Sequence, residues 1–147
     1  MSARRWFLDT NILVYLFDHD EPRKKAIAET IMSDESAQIC LSTQVLQEFY
    51  VTVTRKLGRP MPPEQALIAV EQFQLFPVSV VSTPLIIAAI RRGIDSRISF
   101  WDALIVETAL EEKADVLVTE DLQDGWQIGS MRVWNPFKSP AEDSSPC

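Results

Sequence analysis

The chain has 147 residues, 46% hydrophobic and 24% charged, which bounds it to one globular domain with a single core. A net charge of −7 argues against a nonspecific nucleic-acid binder, and one histidine with two cysteines (Cys40, Cys147) leaves no disulfide framework and no His-rich zinc site. No apolar run is long enough to span a bilayer and the N-terminus lacks signal-peptide form, so a cytoplasmic protein without membrane contact is expected.

Arg4 to Leu8 reads as a short strand. The Asp9-Thr10-Asn11 punctuation, with Thr10 able to cap, turns the apolar run Asn11 to Phe17 into a helix. Pro22 opens a second helix to about Ser33, with Ala26, Ile27, Thr30 and Ile31 as its stripe. Ala37 to Leu41 is a second strand. A third helix, capped by Ser42 or Thr43, runs to Leu57 with Val45, Leu46, Phe49, Tyr50 and Val53 at helical spacing, and Gly58 stops it. Pro63 starts a fourth helix through Phe73, and Val78 to Val81 is a β-branched strand. A fifth helix runs from Thr83 through Arg92, stopped by Gly93, and a sixth from Ser99 to Glu112. Ala114 to Thr119 reads as a buried parallel strand and Met131 to Trp134 as a last short one. Alternating strands and helices predict an α/β fold with a parallel sheet covered on both faces. The domain is taken as residues 1–134, and the Pro- and Ser-rich remainder, 135–147, as a loose tail.

Four acids stand out against this frame. Asp9 ends the first strand and splits an apolar run that has no need of a turn charge. Asp121 lies just past the strand ending at Val118, so two parallel strands deliver carboxylates to one edge of the sheet, where open α/β folds bind ligands. Asp102 and Glu48 sit at partly apolar helix positions, where a lone charge is expensive. Singly, Asp102 also reads as a helix cap, Glu48 as a residue paired with a cation, and Asp121 as a turn aspartate. Together, with no histidine or cysteine among them, they select a hard cation, Mg²⁺ or Mn²⁺, able to orient a phosphodiester and activate a water.

The chain resembles the PIN domains, most closely the VapC-type ribonuclease toxins of bacterial toxin–antitoxin pairs. The resemblance rests on Phe7-Leu8-Asp9-Thr10-Asn11, on Glu48 in the segment 42–49, on Asp102 in the segment 98–105, and on Asp121 in the segment 116–122. It spans roughly residues 6–134. It implies a three-layer α/β/α sandwich with a central parallel sheet of four or five strands. It implies that Asp9, Glu48, Asp102 and Asp121 hold Mg²⁺ or Mn²⁺ for cleavage of single-stranded RNA. By position Thr10, Asn11, Ser99 and Thr119 match supporting polar residues, and Glu120 is an extra acid beside Asp121. A homodimer and a small antitoxin that blocks the site are further implications.

For substrate contact two sets of cations are candidates, Arg55, Lys56 and Arg59 at the end of the third helix and Arg91, Arg92 and Arg97 before Asp102, with Arg97, five positions from Asp102, preferred. Trp101 is able to stack a base, but its spacing with Leu104 and Ile105 favours a place in the core. Two other readings stay open: a non-catalytic PIN-like module that binds RNA or protein, and a phosphatase with Asp9 as nucleophile. The latter usually wants a second aspartate two residues on, where this chain has Asn11.

Overall fold

The computed structural model describes residues 4–138. A sheet of six strands runs in the order β3-β2-β1-β4-β6-β5, with β1 at Arg4–Leu8, β2 at Ala37–Ser42, β3 at Val78–Ser79, β4 at Val116–Val118, β5 at Gln127–Ile128 and β6 at Met131–Trp134. The first five strands in that order are parallel to their neighbours; β5 alone is antiparallel, joined to β6 by a two-residue turn. Gly129 opens that turn with φ +59°, a backbone state that costs a residue without Cβ nothing. The sheet thus has six strands rather than the four or five expected: β5 is added, its two residues being too few to show a period, and β3 and β4 are shorter than Val78–Val81 and Ala114–Thr119.

Six helices link the strands: α1 at Thr10–Tyr15, α2 at Pro22–Met32, α3 at Thr43–Arg55, α4 at Pro63–Phe73, α5 at Thr83–Ser96 and α6 at Phe100–Glu111. From β1 the chain steps outward to β2 and β3, then returns across the sheet through α5 and α6 to place β4 on the other side of β1. The junction of β1 and β4 is thus the topological switch point, and a crevice opens at its carboxyl edge. Phe7, Leu8, Ile12, Leu13, Leu41 and Leu117 are fully buried around it. An aromatic cluster, Phe17, Phe49 and Phe73, closes the core under α3 and α4 with edge-to-face contacts at 5.0 to 6.4 Å between ring centres.

Three local expectations change. The cap of α1 is Asp9, whose carboxylate accepts from the Thr10 amide, and Thr10 is itself helical. Gly93 does not stop α5, which continues to Ser96 and ends at Arg97 with φ +56°. Gly93 is instead a close-approach position: a Cβ there would stand 3.3 Å from the Ile98 carbonyl oxygen, where the chain turns back toward α6. Finally, the first four residues assigned to the tail pack onto the domain. Phe137 is buried with its ring 5.0 Å from that of Tyr15, and Arg23 donates to the Phe137 and Lys138 carbonyls at 2.9 and 3.2 Å. Apolar burial overrides the Pro-rich composition that made Asn135 look like a boundary. The rest of the predicted tail, from 139 on, lies outside the described residues.

Candidate active site

The parallel register between β1 and β4 pairs Leu8 with Val118, and the Asp9 amide donates to the Val118 carbonyl at 3.0 Å. Asp9 and Thr119 therefore leave the sheet side by side. The Asp9 carboxylate is only 5% exposed. One oxygen accepts from the Thr10 amide at 2.7 Å; the other accepts from the Thr119 hydroxyl at 2.7 Å and from Asn11 Nδ2 at 3.4 Å. Burial nevertheless dominates, and pushes the Asp9 carboxyl up from 3.8 to about 7; the Thr119 and Thr10 hydrogen bonds pull the other way, and the charges of Asp121 and Glu48 add to the rise.

Asn11 ties the two strand ends together. Its Nδ2 donates to Asp121 Oδ2 at 3.1 Å and lies 3.3 Å from Thr119 Oγ1. The Thr119 hydroxyl in turn accepts from the Asp121 amide at 3.0 Å, fixing the turn that carries the acid. Burial raises the Asp121 carboxyl, opposed by Asn11 and increased by the charges of Asp102 and Glu120.

Glu48 reaches the same place from α3. Its Oε1 accepts from the Thr10 hydroxyl at 2.7 Å, and its Oε2 from Gln44 Nε2 at 3.3 Å. Gln44, one helical turn earlier, also donates to the Trp101 carbonyl at 3.1 Å, so it links α3 to the start of α6. There Ser99 caps the helix, accepting from the Asp102 amide at 3.0 Å. Asp102 is half-buried, and that burial raises its carboxyl, with Glu48 adding charge repulsion against the lowering effect of Ser99.

Three elements thus bring Asp9, Thr10, Asn11, Glu48, Thr119 and Asp121 into one hydrogen-bonded network, with Asp102 coupled to it through charge. Among the described residues, no three of the acids stand close enough to grip one ion as placed. The donor chemistry still suits a hard divalent cation: carboxylate oxygens, plus two buried amide oxygens in the same network, Asn11 Oδ1 and Gln44 Oε1, that have no hydrogen-bond partner among the described residues. Burial raises the Asp9, Asp102 and Asp121 carboxyls, and repulsion among the acids adds to it; a cation bound there would offset both.

Glu120 belongs elsewhere. Its carboxylate accepts from the Tyr15 hydroxyl at 2.5 Å and pairs with Lys24 at 3.0 Å, while Lys24 lies over the Tyr15 ring at 4.8 Å. Asp121, not Glu120, lines the cleft. Arg97 is exposed at the end of α5 and does not line it; Lys56 does. Trp101 departs from expectation: it is 60% exposed and forms part of the cleft wall. It occupies the outer side of the first turn of α6, while Ala103, Leu104, Ile105 and Val106 take the buried positions. Gln44, Tyr15 and Lys24 were missed by sequence reasoning; only the i, i+4 spacing of Gln44 and Glu48 signals any of them. The cleft encloses about 740 Å³, within the range of small-molecule sites.

A family model described as PIN domain matches residues 6–123. No curated protein matches the sequence significantly. Among solved structures, a toxin–antitoxin complex from Klebsiella pneumoniae superposes with a TM-score of 0.68 at 20% identity, covering 94% of this chain and 100% of that one. VapBC-1 from nontypeable Haemophilus influenzae gives 0.64 at 21% identity, covering 91% and 99%. Mycobacterium tuberculosis VapC20, described as a sarcin-ricin loop cleaving toxin, gives 0.62 at 21% identity, covering 76% and 86%.

Proposed function

The chain belongs to the PIN domain family, and from that premise we propose that it is a metal-dependent endoribonuclease, the toxin of a toxin–antitoxin pair, cleaving single-stranded or loop RNA. The observation that carries this reading is the convergence of Asp9, Glu48 and Asp121 from β1, α3 and the end of β4 onto one network at the switch point, with Asp102 electrostatically coupled to it. Asp9, Glu48, Asp102 and Asp121 would hold Mg²⁺ or Mn²⁺. Bound there, the ion supplies a water of lowered pKa and charge stabilisation for the leaving oxygen.

The protein's own groups do the rest. Thr119 and the Thr10 amide fix the Asp9 carboxylate, Asn11 sets the distance between Asp9 and Asp121, and Thr10 with Gln44 aims Glu48. Thr10, Asn11, Ser99 and Thr119 are therefore supporting groups, and Glu120 supports through Tyr15 and Lys24. Structural neighbours that are toxin–antitoxin complexes support an antitoxin partner. Two apolar surfaces leave room for an antitoxin and a second copy: a groove between α3 and α4 lined by Leu46, Tyr50, Val51 and Leu67, and a face of α5 exposing Ile87, Ile90 and Ile94. Among the described residues no helix is long and apolar enough to cross a membrane, which is consistent with the cytoplasmic setting such a toxin needs.

The test is incubation of a mixed structured RNA pool with purified protein in Mg²⁺, in Mn²⁺ and in EDTA. Cleavage confined to the metal-containing reactions supports the proposal. An intact pool under every condition, from folded protein that binds Mn²⁺, favours the non-catalytic module instead.

A further inference from the structure

The walls of the cleft pose a problem for an RNA substrate. Among the described residues, Asp18, Glu48 and Asp121 line it against a single cation, Lys56 at the far end of α3. Side-chain contacts to phosphate within the cleft therefore contribute little affinity, leaving a bound cation and the bases to supply the attraction. One lining group suits that task. Trp101 exposes 60% of its surface and lines the cleft together with Gln44, Glu48 and Asp121, so its ring is open to a ligand there.

Its position is fixed rather than loose. The Phe100 ring meets the indole edge-to-face at 5.0 Å between centres and 76° between planes. Its backbone carbonyl is held by Gln44, the residue that also donates to Glu48. The platform is therefore anchored to the same side chain that aims one of the acids, and its neighbour in sequence is Asp102. A base resting on it would be registered against the acids through short, rigid links.

We infer that Trp101 is a nucleobase-stacking platform, holding an unpaired base of the RNA beside the acids and so placing the adjacent phosphodiester over them. This deepens the ribonuclease reading and rests on it for the identity of the ligand. Stacking on an indole is tolerant of sequence but demands an unpaired base, so it selects single-stranded or looped RNA over duplex.

The experiment is a binding titration in Ca²⁺ of wild type, Trp101→Phe and Trp101→Ala with a random single-stranded RNA 12-mer and with a 12-residue abasic ribose–phosphate chain. Labelled-RNA anisotropy and tryptophan quenching are read, gels run alongside show that the RNA stays intact, and thermal melts confirm folding. The expected result is that wild type prefers the base-bearing strand, that Trp101→Ala loses roughly 5- to 100-fold in affinity together with the quenching, and that Trp101→Phe keeps most of the affinity. Equal affinity of wild type and Trp101→Ala, or equal binding of the abasic chain, overturns the platform. So does absence of RNA binding by wild type, or a Trp101→Ala defect confined to capture of a protein partner. Base-dependent binding lost in Trp101→Ala, in a protein that cuts no RNA with any metal, leaves the platform standing and removes the ribonuclease reading. Cleavage unaffected by Trp101→Ala does the reverse.

Discussion

Asp9→Asn separates the cost of the buried charge from its use. The folded protein holds the Asp9 carboxyl at about 7, against 3.8 for the free group. Below the lower value both folded and unfolded states are protonated and no penalty exists. As pH rises, the unfolded chain ionises first, so the stability due to neutral Asp9 is progressively lost until the folded group also ionises. Above pH 7 the loss amounts to about 4 kcal/mol. Asparagine removes the ionisation but supplies an NH₂ where Thr119 now donates to an oxygen, a cost of about 1 kcal/mol. In EDTA at pH 8, Asp9→Asn is therefore expected to be more stable than wild type by about 3 kcal/mol, a rise in Tm of roughly 6–12 °C for a domain of this size. At pH 4, where the unfolded aspartate is already about half ionised, it should be less stable by about 0.5 kcal/mol. Guanidinium unfolding of both proteins across pH 4 to 8 reads the crossover. A stability difference that does not change with pH, or an Asp9→Asn protein weaker at pH 8, would refute the argument that burial is the main perturbation of Asp9.

Other outcomes follow from the same contacts. Thr119→Val removes a hydroxyl that donates to Asp9 and accepts from the Asp121 amide; it should cost about 2 kcal/mol and raise the pH at which the loss of stability levels off, its onset being set by the unfolded chain and unchanged, as seen in the same titration. Asn11→Asp replaces the donor between two carboxylates with a third charge, so in EDTA it should lose more stability at pH 8 than at pH 5, and Mn²⁺ should narrow the gap. Phe137→Ala should cost about 3 kcal/mol in urea unfolding, because its ring is buried against Tyr15; a cost near zero would return the boundary to Trp134. Glu120→Gln should reduce cleavage by less than about tenfold, whereas Asp121→Asn should reduce it by on the order of 100-fold or more, since only Asp121 lines the cleft.

Legibility in the sequence followed the strength of the physical signal. Buried parallel strands announce themselves as short apolar runs, so β1 and β2 are legible to within a residue and β4 to within two, and with β1 and β4 the acids that follow them. Asp9 and Asp121 could be read because a carboxylate at a strand terminus interrupts an apolar pattern. Their partners Thr10, Asn11 and Thr119 could be read with them, being adjacent in sequence; the longer-range contacts around the cleft could not. Lys24 lies ninety-six residues from Glu120, and Gln44 is fifty-seven from Trp101, so nothing local encodes either contact. Trp101 was misplaced for a related reason. Spacing with Leu104 and Ile105 puts it on an apolar stripe, but α6 is apolar nearly all round, and periodicity cannot tell which residue of its first turn meets solvent. Gly93 looked like a stop because a helix interior disfavours glycine; the demand it answers is the approach of the Ile98 carbonyl, invisible before the chain folds back.

The central claim is that four acids from separate elements act as one metal-holding centre for RNA cleavage. Its most direct measurement is the rate at which Asp9→Asn, Glu48→Gln, Asp102→Asn and Asp121→Asn cut an RNA pool in Mn²⁺, beside wild type and with unfolding curves for each. The account predicts that wild type cuts only with metal and that every one of the four variants, though folded, falls by on the order of 100-fold or more. Retention of wild-type cleavage by any folded variant would contradict the four-acid centre, and cleavage that persists in EDTA would contradict the role of the metal.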